Sequence, residues 1–97
     1  MTKAYAVKVK TDIKTWDIPC ADLSTLKDEF AKICNVLEDN SIITSNDIKS
    51  DMIDTFNCIA YRVVNGNTEY ISYDMPLKNS VVNIKIYNIS KYYQYIK

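Results

Sequence analysis

In two segments of the chain, every second residue is a large apolar one, and the residues between them are mostly polar. In residues 4–11 a tyrosine and two valines alternate with an alanine and two lysines. In residues 81–89 branched aliphatic residues alternate with asparagine, lysine and tyrosine. A period of two with one polar face predicts a half-buried β-strand in each segment. The predicted inward side chains are Tyr5, Val7, Val9, Val82, Ile84 and Ile86.

Two segments between these strands have the period of a helix. Apolar residues spaced by three and four positions predict a helix over residues 23–38. A shorter helix is predicted over residues 46–56, where Ile48, Met52 and Phe56 share one face. Residues 12–20 are interpreted as a connector in which Pro19 ends the extended run, because the residue before a proline disfavours the helical region.

The strongest local signal lies between Phe56 and Asp74, where two runs of β-branched and aromatic residues meet at Asn65-Gly66. Asn-Gly between two such runs predicts a β-hairpin, because both residues tolerate a positive φ. The register stays open. A two-residue loop pairs Arg62 with Glu69, whereas a three-residue loop gives the cleaner amphipathic sheet and leaves Arg62 on its polar face.

These elements predict an α+β fold with a small antiparallel sheet of four or five strands and two helices on one face. The predicted order is β-α-α-β-β-β, in a single domain over residues 1–97. The tail after residue 88 supplies the possible extra strand. No apolar run reaches the ~18–20 residues of a membrane span, and the N-terminal residues lack the apolar core of a secretory signal. A cytoplasmic location is therefore expected.

The composition argues against catalysis. The chain has no histidine, which removes the commonest general acid–base group and the commonest metal ligand. A single glycine leaves no phosphate-binding loop of the usual glycine-rich type. Three cysteines, an odd number without C-x-x-C spacing, are interpreted as reduced thiols. We therefore expect no enzyme activity, no metal site and no cofactor.

Charge divides the chain into an acidic middle and basic ends. Residues 15–57, which include both predicted helices, hold nine acidic residues and three lysines. An acidic helical layer on a basic sheet would orient the molecule toward charged partners. The alternative is that the two layers simply complement each other in charge.

A non-catalytic protein-interaction module is the favoured function. Ile, Asn, Lys and Tyr form 41 of the 97 residues, which indicates A/T-rich coding. Together with the small size, this suggests an accessory protein of a phage, virus or mobile element. Such a protein would bind, and in one version inhibit, a host protein in the host cytoplasm. A basic or nucleic-acid-binding host protein would suit the acidic helices.

Two sets of residues are candidates for partner binding. The first is an acidic stripe on the second helix, and the second is an aromatic tail that could pair with a second copy as an edge strand. Alternatively, the tail packs into its own sheet. The residues are Asp47, Asp51, Asp54, Tyr92, Tyr93 and Tyr95.

The alternative function is a small nucleic-acid-binding regulatory protein. Basic groups with interleaved tyrosines on one sheet face could neutralise phosphates and stack on bases. The other interpretation of this face is an ordinary solvated surface. The residues that would carry nucleic-acid binding are Lys8, Lys10, Arg62, Lys85 and Tyr87, with Tyr70 beside them.

Overall fold

The computed structural model describes residues 4–20, 22–66, 68–78 and 80–90. Its elements are β1 (Tyr5–Lys10), β2 (Thr15–Cys20), α1 (Leu23–Asp39), α2 (Asn46–Asn65), β3 (Tyr70–Pro76) and β4 (Val81–Asn88). The four strands form one antiparallel sheet in the spatial order β2-β1-β4-β3. The predicted α+β class, with two helices and an antiparallel sheet, is confirmed.

The hydrophobic core lies between one face of the sheet and the two helices. The inward side chains predicted for β1 and β4 are buried there, together with apolar residues of both helices. At its centre the rings of Phe30 and Phe56 stack with centroids 4.4 Å apart. Burial of each such ring contributes roughly 1.5–3 kcal/mol, so this pair is a main link between α1 and α2.

The β-hairpin predicted at Asn65-Gly66 is wrong. Residues 56–65 continue α2, which is 20 residues long instead of the predicted 11. Met52, Phe56, Ile59, Ala60 and Val63 are all buried along one helical face. The helical apolar stripe therefore continues through the segment that resembles a strand, and tertiary burial outweighs the β propensity of its valines and isoleucine.

Gly66 has a different role from the one predicted. It follows the last turn of α2 with φ −83°, and its N–H donates to the carbonyl oxygen of Arg62 at 2.9 Å. Its conformation is right-handed, so the positive φ on which the hairpin depends is not used. The next element is β3, which is the one strand of the predicted hairpin that does form.

The predicted connector over residues 12–20 contains β2, so the chain begins with two strands before the helices. The turn between β1 and β2 is held by Thr11, whose hydroxyl donates to the Lys14 carbonyl oxygen at 2.8 Å. β2 tolerates Pro19 because it is an edge strand. On the free side of such a strand a proline, which has no N–H, costs the sheet no hydrogen bond. The predicted element order is therefore wrong by one strand, which belongs before α1 and not after α2.

Polar side chains begin both helices. The Asp22 carboxylate accepts the Thr25 N–H at 2.8 Å at the start of α1, and the Ser45 hydroxyl accepts the Ile48 N–H at 3.2 Å at the start of α2. The hydrogen bonds from the backbone N–H and the hydroxyl of Thr25 lower the pKa of Asp22 below its ordinary value, because they favour the ionised carboxylate. In the described part of the chain, neither helix combines the length and the apolar character that a membrane crossing requires.

Candidate functional site

The outer face of α2 carries a line of exposed side chains, which we call the α2 ridge. Its positions advance by four, three, four and three residues, so they fall on one side of the helix. The ridge consists of Asp47, Asp51, Asp54, Cys58 and Tyr61, all of them exposed. At 1.5 Å per residue it is about 21 Å long. The three aspartates lie on the outer face, as the sequence predicts.

The aspartates of the ridge have no ion-pair partner among the described residues. The ion pairs there are Lys32 with Glu29 at 3.3 Å and Lys49 with Glu38 at 3.5 Å, and neither involves the ridge. The segment 22–66 holds eight carboxylates against four basic residues. The helical layer is therefore acidic, and the ridge carries three of its unneutralised charges.

Tyr61 ends the ridge as a large apolar group in water. It is 67% exposed, more than any other large hydrophobic side chain reported for the described residues. An exposed tyrosine suits an interface, because it buries a large area on binding and keeps a polar tip. The strand predicted for residues 56–64 hides this position, because Tyr61 then has no place on a helix face. The helical spacing from Asp54 through Cys58 was the signal that could have found it.

The second candidate is the open sheet face, formed by side chains on the side of the sheet away from the helices. Lys8 of β1 lies directly opposite Lys85 of β4 in the strand register, and Lys10 lies opposite Asn83. Opposed residues of an antiparallel pair are only about 5.5 Å apart at Cα. Like charges placed so close destabilise a sheet, so this pairing has no structural benefit of its own.

Lys85 is flanked by two tyrosines. Its ammonium group lies 4.8 Å from the ring centroid of Tyr70 and 5.3 Å from that of Tyr87. Cation–π contacts of this kind contribute roughly 0.5–1 kcal/mol each at exposed sites. They hold the ammonium in place and leave its donors free for an anion.

Tyr87 spans the sheet toward β2. Its hydroxyl donates to the Asp17 carboxylate at 2.5 Å, passing over β1. The pKa of Tyr87 is raised to about 12, mainly by burial and then by the hydrogen bond to Asp17 and the negative charge of that carboxylate. The phenol therefore stays protonated at neutral pH and remains a donor. Asp17 also lowers the net positive charge of this face.

One end of the open sheet face is apolar and covered. Ala6 points away from the helices, as the alternation predicts, yet it is only 1% exposed. It forms a second small cluster with Ala4 and Ile89, against which Tyr87 packs. The solvated part of this face is therefore the half that contains Lys8 and Lys10, both of which are exposed.

Four of the five residues predicted for nucleic-acid binding meet on this face: Lys8, Lys10, Lys85 and Tyr87. The predicted position of Arg62 is wrong. Arg62 is an exposed residue of α2, because the segment predicted as a strand is helical. The sequence also gave no role to Asp17, since β2 was not recognised. The tail residues Tyr92, Tyr93 and Tyr95 lie outside the described residues.

All three cysteines are free thiols. Burial raises the pKa of Cys34 to about 11, and burial, followed by the charges of Glu29 and Asp22, raises that of Cys20. Both stay protonated at neutral pH and are poor nucleophiles. Cys58 differs from the other two because it is exposed on the α2 ridge. Within the described ranges, no three His, Cys, Asp or Glu side chains come together as a metal site.

Comparison of the chain with models of protein families, with curated proteins and with solved structures gave no match.

Proposed function

We propose that this protein is a non-catalytic interaction module that binds a protein partner through the α2 ridge. The observation that carries the proposal is the unbroken exposed line from Asp47 to Tyr61, with charge at one end and an aromatic group at the other. The partner surface that fits it is a basic groove with an apolar pocket.

The two ends of the ridge have different tasks in this proposal. Unpaired carboxylates steer a basic partner during diffusion and mainly raise the association rate. Tyr61 is the anchor, because buried aromatic residues contribute most of the binding energy at many interfaces. The rigidity of a 20-residue helix supports both tasks, since the ridge needs no rearrangement to bind.

The setting that we propose is a phage, virus or mobile element, with the protein binding and modulating a host protein in the host cytoplasm. The support is the A/T-rich coding bias, the small size and the acidic ridge. A basic or nucleic-acid-binding host protein is the class of partner that an acidic ridge suits best. Inhibition of that protein is one form that the modulation could take.

The experiment is affinity capture from host lysate followed by affinity measurement on the captured protein. We expect the triple variant Asp47→Asn, Asp51→Asn and Asp54→Asn to slow association about tenfold, and Tyr61→Ala to speed dissociation. A matched control replaces three exposed acids elsewhere: Asp12→Asn, Asp28→Asn and Asp39→Asn. If the captured protein binds the ridge triple variant and Tyr61→Ala as tightly as the unchanged chain, the ridge is not its docking surface.

The second candidate function is binding of single-stranded nucleic acid by the open sheet face. It is favoured by the direct opposition of Lys8 and Lys85, together with the two tyrosines around Lys85. A phosphate between the two ammonium groups would relieve their repulsion, and Tyr70, which is 56% exposed, could stack on a base.

Titration of single- and double-stranded oligonucleotides across salt concentrations tests this second function. Binding should weaken steeply with salt, and Lys8→Glu with Lys85→Glu should abolish it. Lys27→Glu with Lys32→Glu on α1 is the matched control, since it makes the same change of charge at two lysines away from the sheet. Absence of binding at a low salt concentration of about 50 mM would rule the function out.

A further inference from the structure

The β3 strand is an open edge of the sheet, because β4 is its only strand neighbour in the described part of the chain. The hydrogen bonds at its two ends fix which backbone groups face outward. The Asn88 N–H donates to the Glu69 carbonyl, and the Leu77 N–H donates to the Ser80 carbonyl. Odd-numbered residues of β3 therefore bond to β4, and the backbone groups of Tyr70, Ser72 and Asp74 point away from the sheet.

This edge has few of the features that usually prevent edge pairing. It carries no lysine, and its one charged residue, Asp74, and its only proline, Pro76, lie toward its C-terminal end. Its tyrosines are open to solvent, with Tyr73 48% exposed even though it lies on the helix side of the sheet. The opposite edge, β2, also holds one aspartate and one proline, but its proline, Pro19, lies inside the strand.

A groove lies beside β3 on the helix side. It has a volume of about 520 Å³ and runs between the C-terminal end of α2 and the start of β3, with Tyr61, Arg62 and Ile71 among its lining residues. Ile71 is the strand residue in this lining. Any residue paired with Ile71 across the open edge would therefore bring its side chain to the mouth of the groove.

We propose that two copies of this chain associate through β3, antiparallel, with a two-fold axis at Ser72. This register uses all three outward-facing residues, places Tyr70 opposite Asp74 of the second copy, and leaves Pro76 outside the ladder. On the helix side it pairs Ile71 with Tyr73 of the second copy. An aromatic residue opposite a β-branched residue is a favourable cross-strand pair.

The same register fills both grooves at once. Tyr73 of each copy lies opposite Ile71 of the other, so each ring enters the groove of the other copy next to Arg62, where a cation–π contact can form. A two-fold interface needs such reciprocity, since each copy must both donate and receive the same group. The contact area of one short strand and two tyrosines is small, so we expect a weak dimer that forms in the micromolar range.

Sedimentation equilibrium of the full chain, from about 5 µM to about 1 mM, tests the proposal over the range of weak interfaces. We expect a monomer–dimer equilibrium. Ser72→Lys would place two ammonium groups opposite each other on the axis, and it should weaken dimerisation at least about tenfold. Thr15→Lys, the same kind of change on the exposed opposite edge, is the matched control and should leave dimerisation unchanged.

Ser72→Pro is the second variant. It removes an outward-facing N–H and no backbone bond to β4. The one side-chain bond lost is that from the Asn83 amide to the Ser72 hydroxyl, at 2.9 Å, and the same amide keeps its bond to Asp74. Circular dichroism should therefore show the fold retained while dimerisation is lost. A monomer at all concentrations would overturn the proposal, as would a dimer that survives Ser72→Lys and Ser72→Pro. Larger assemblies that Thr15→Lys disrupts would also overturn it, because they would mean head-to-tail pairing of β3 with β2. The aspartates of the α2 ridge are not part of this interface, so neutralising them should not change dimerisation.

Discussion

The second half of α2, residues 56–65, and strand β4, residues 81–88, are similar in composition and opposite in structure. Both are short runs rich in valine, isoleucine and tyrosine. In β4 the buried positions are 82, 84 and 86, which is the period of a strand. In α2 they are 56, 59, 60 and 63, which continue the stripe that begins at Met52. Composition therefore does not tell the helical segment from the strand. Continuity with the apolar stripe of the preceding residues does.

The difference shows what decides the structure of an ambiguous run. An isolated eight-residue segment with alternating branched residues fits a strand, and β4 has turn residues on its N-terminal side that leave it isolated. Residues 56–65 follow an established helix without a break. Adding a turn to an existing helix avoids the cost of nucleation, and the extension of α2 adds three buried apolar residues to the core, Ile59, Ala60 and Val63.

The largest effect is expected at the residue where α2 continues past its predicted end. Phe56→Ala removes the ring stacked on Phe30 and should lower the free energy of unfolding by about 3–5 kcal/mol. Urea denaturation measures this, with the exposed Val36→Ala of α1 expected to stay within about 0.5 kcal/mol of the unchanged chain. A loss below about 1 kcal/mol would mean that the ring is not part of the core.

A proline placed in each of the two regions tests whether the backbone N–H at that position is needed for a hydrogen bond. Cys58→Pro, at an exposed position inside α2, should cost about 3 kcal/mol or more, because it breaks a helical hydrogen bond without losing any packing. Val81→Pro, at the first residue of β4, should cost much less, since proline is tolerated at the start of a strand. Equal losses in thermal unfolding would contradict the assignment of residues 56–65 to a helix.

Tyr87 tests a hydrogen bond between two side chains that joins β4 to β2, whereas the side-chain bond from Asn65 to the Tyr61 carbonyl stays within α2. Tyr87→Phe removes the donor to Asp17 and should lower the free energy of unfolding by about 1 kcal/mol at neutral pH. Because the pKa of Tyr87 is raised in the folded chain, its contribution is present below its ordinary value of 10 and is lost as the pH rises toward 12.

The pH dependence gives a separate measurement of the same bond. Denaturation at several pH values from 9 to 12 should show the unchanged chain losing more stability than Tyr87→Phe does. Identical pH profiles would show that the phenol is not held by Asp17. The wild-type and Phe chains share the other seven tyrosines, so the difference between them isolates this group.

The smallest effect is expected from differences in intrinsic helix and strand propensity at exposed sites. At Tyr61 of α2, alanine should give a more stable protein than threonine by about 0.5 kcal/mol, because helices favour alanine. At Val81 of β4, threonine should be the better residue by a similar amount. Precise thermal denaturation of the four variants checks the two signs. The same sign at both sites would contradict the contrast between the regions.

Sequence patterns recover the elements that have one clear period. α1 and β4 begin and end within a residue of their predicted ends, and β1 lies inside its predicted segment, because their buried positions follow a single pattern. The sequence does not reveal β2, because Pro19 indicates the end of an extended run, and only the sheet order shows that β2 is an edge strand where proline is tolerated. The hairpin prediction at Asn65-Gly66 is wrong because the strong preference of Asn-Gly for a hairpin turn is outweighed by burial of the apolar face of the preceding helix.

The candidate sites, like the elements, can be predicted only where the sequence has one clear period. The acidic half of the α2 ridge could be predicted from helical spacing, since Asp47, Asp51 and Asp54 lie in the part of α2 whose period is clear. Tyr61 and Cys58 could not be placed on it, because their segment was assigned to a strand. The opposition of Lys8 and Lys85 depends on which strands are neighbours, and that pairing joins residues 77 positions apart in the chain. Local patterns carry no information on such a register.

The central position of β1 has a consequence for synthesis on the ribosome. β1 pairs with β4 over its whole length, from Tyr5 opposite Asn88 to Lys10 opposite Asn83, and β4 is translated last of the six elements. Until β4 is made, the edge of β1 that pairs with it has no strand partner. Lys8 and Lys10 lie on that strand, where charged residues discourage pairing with other chains. Their positive charge would protect the growing polypeptide before it serves the finished protein.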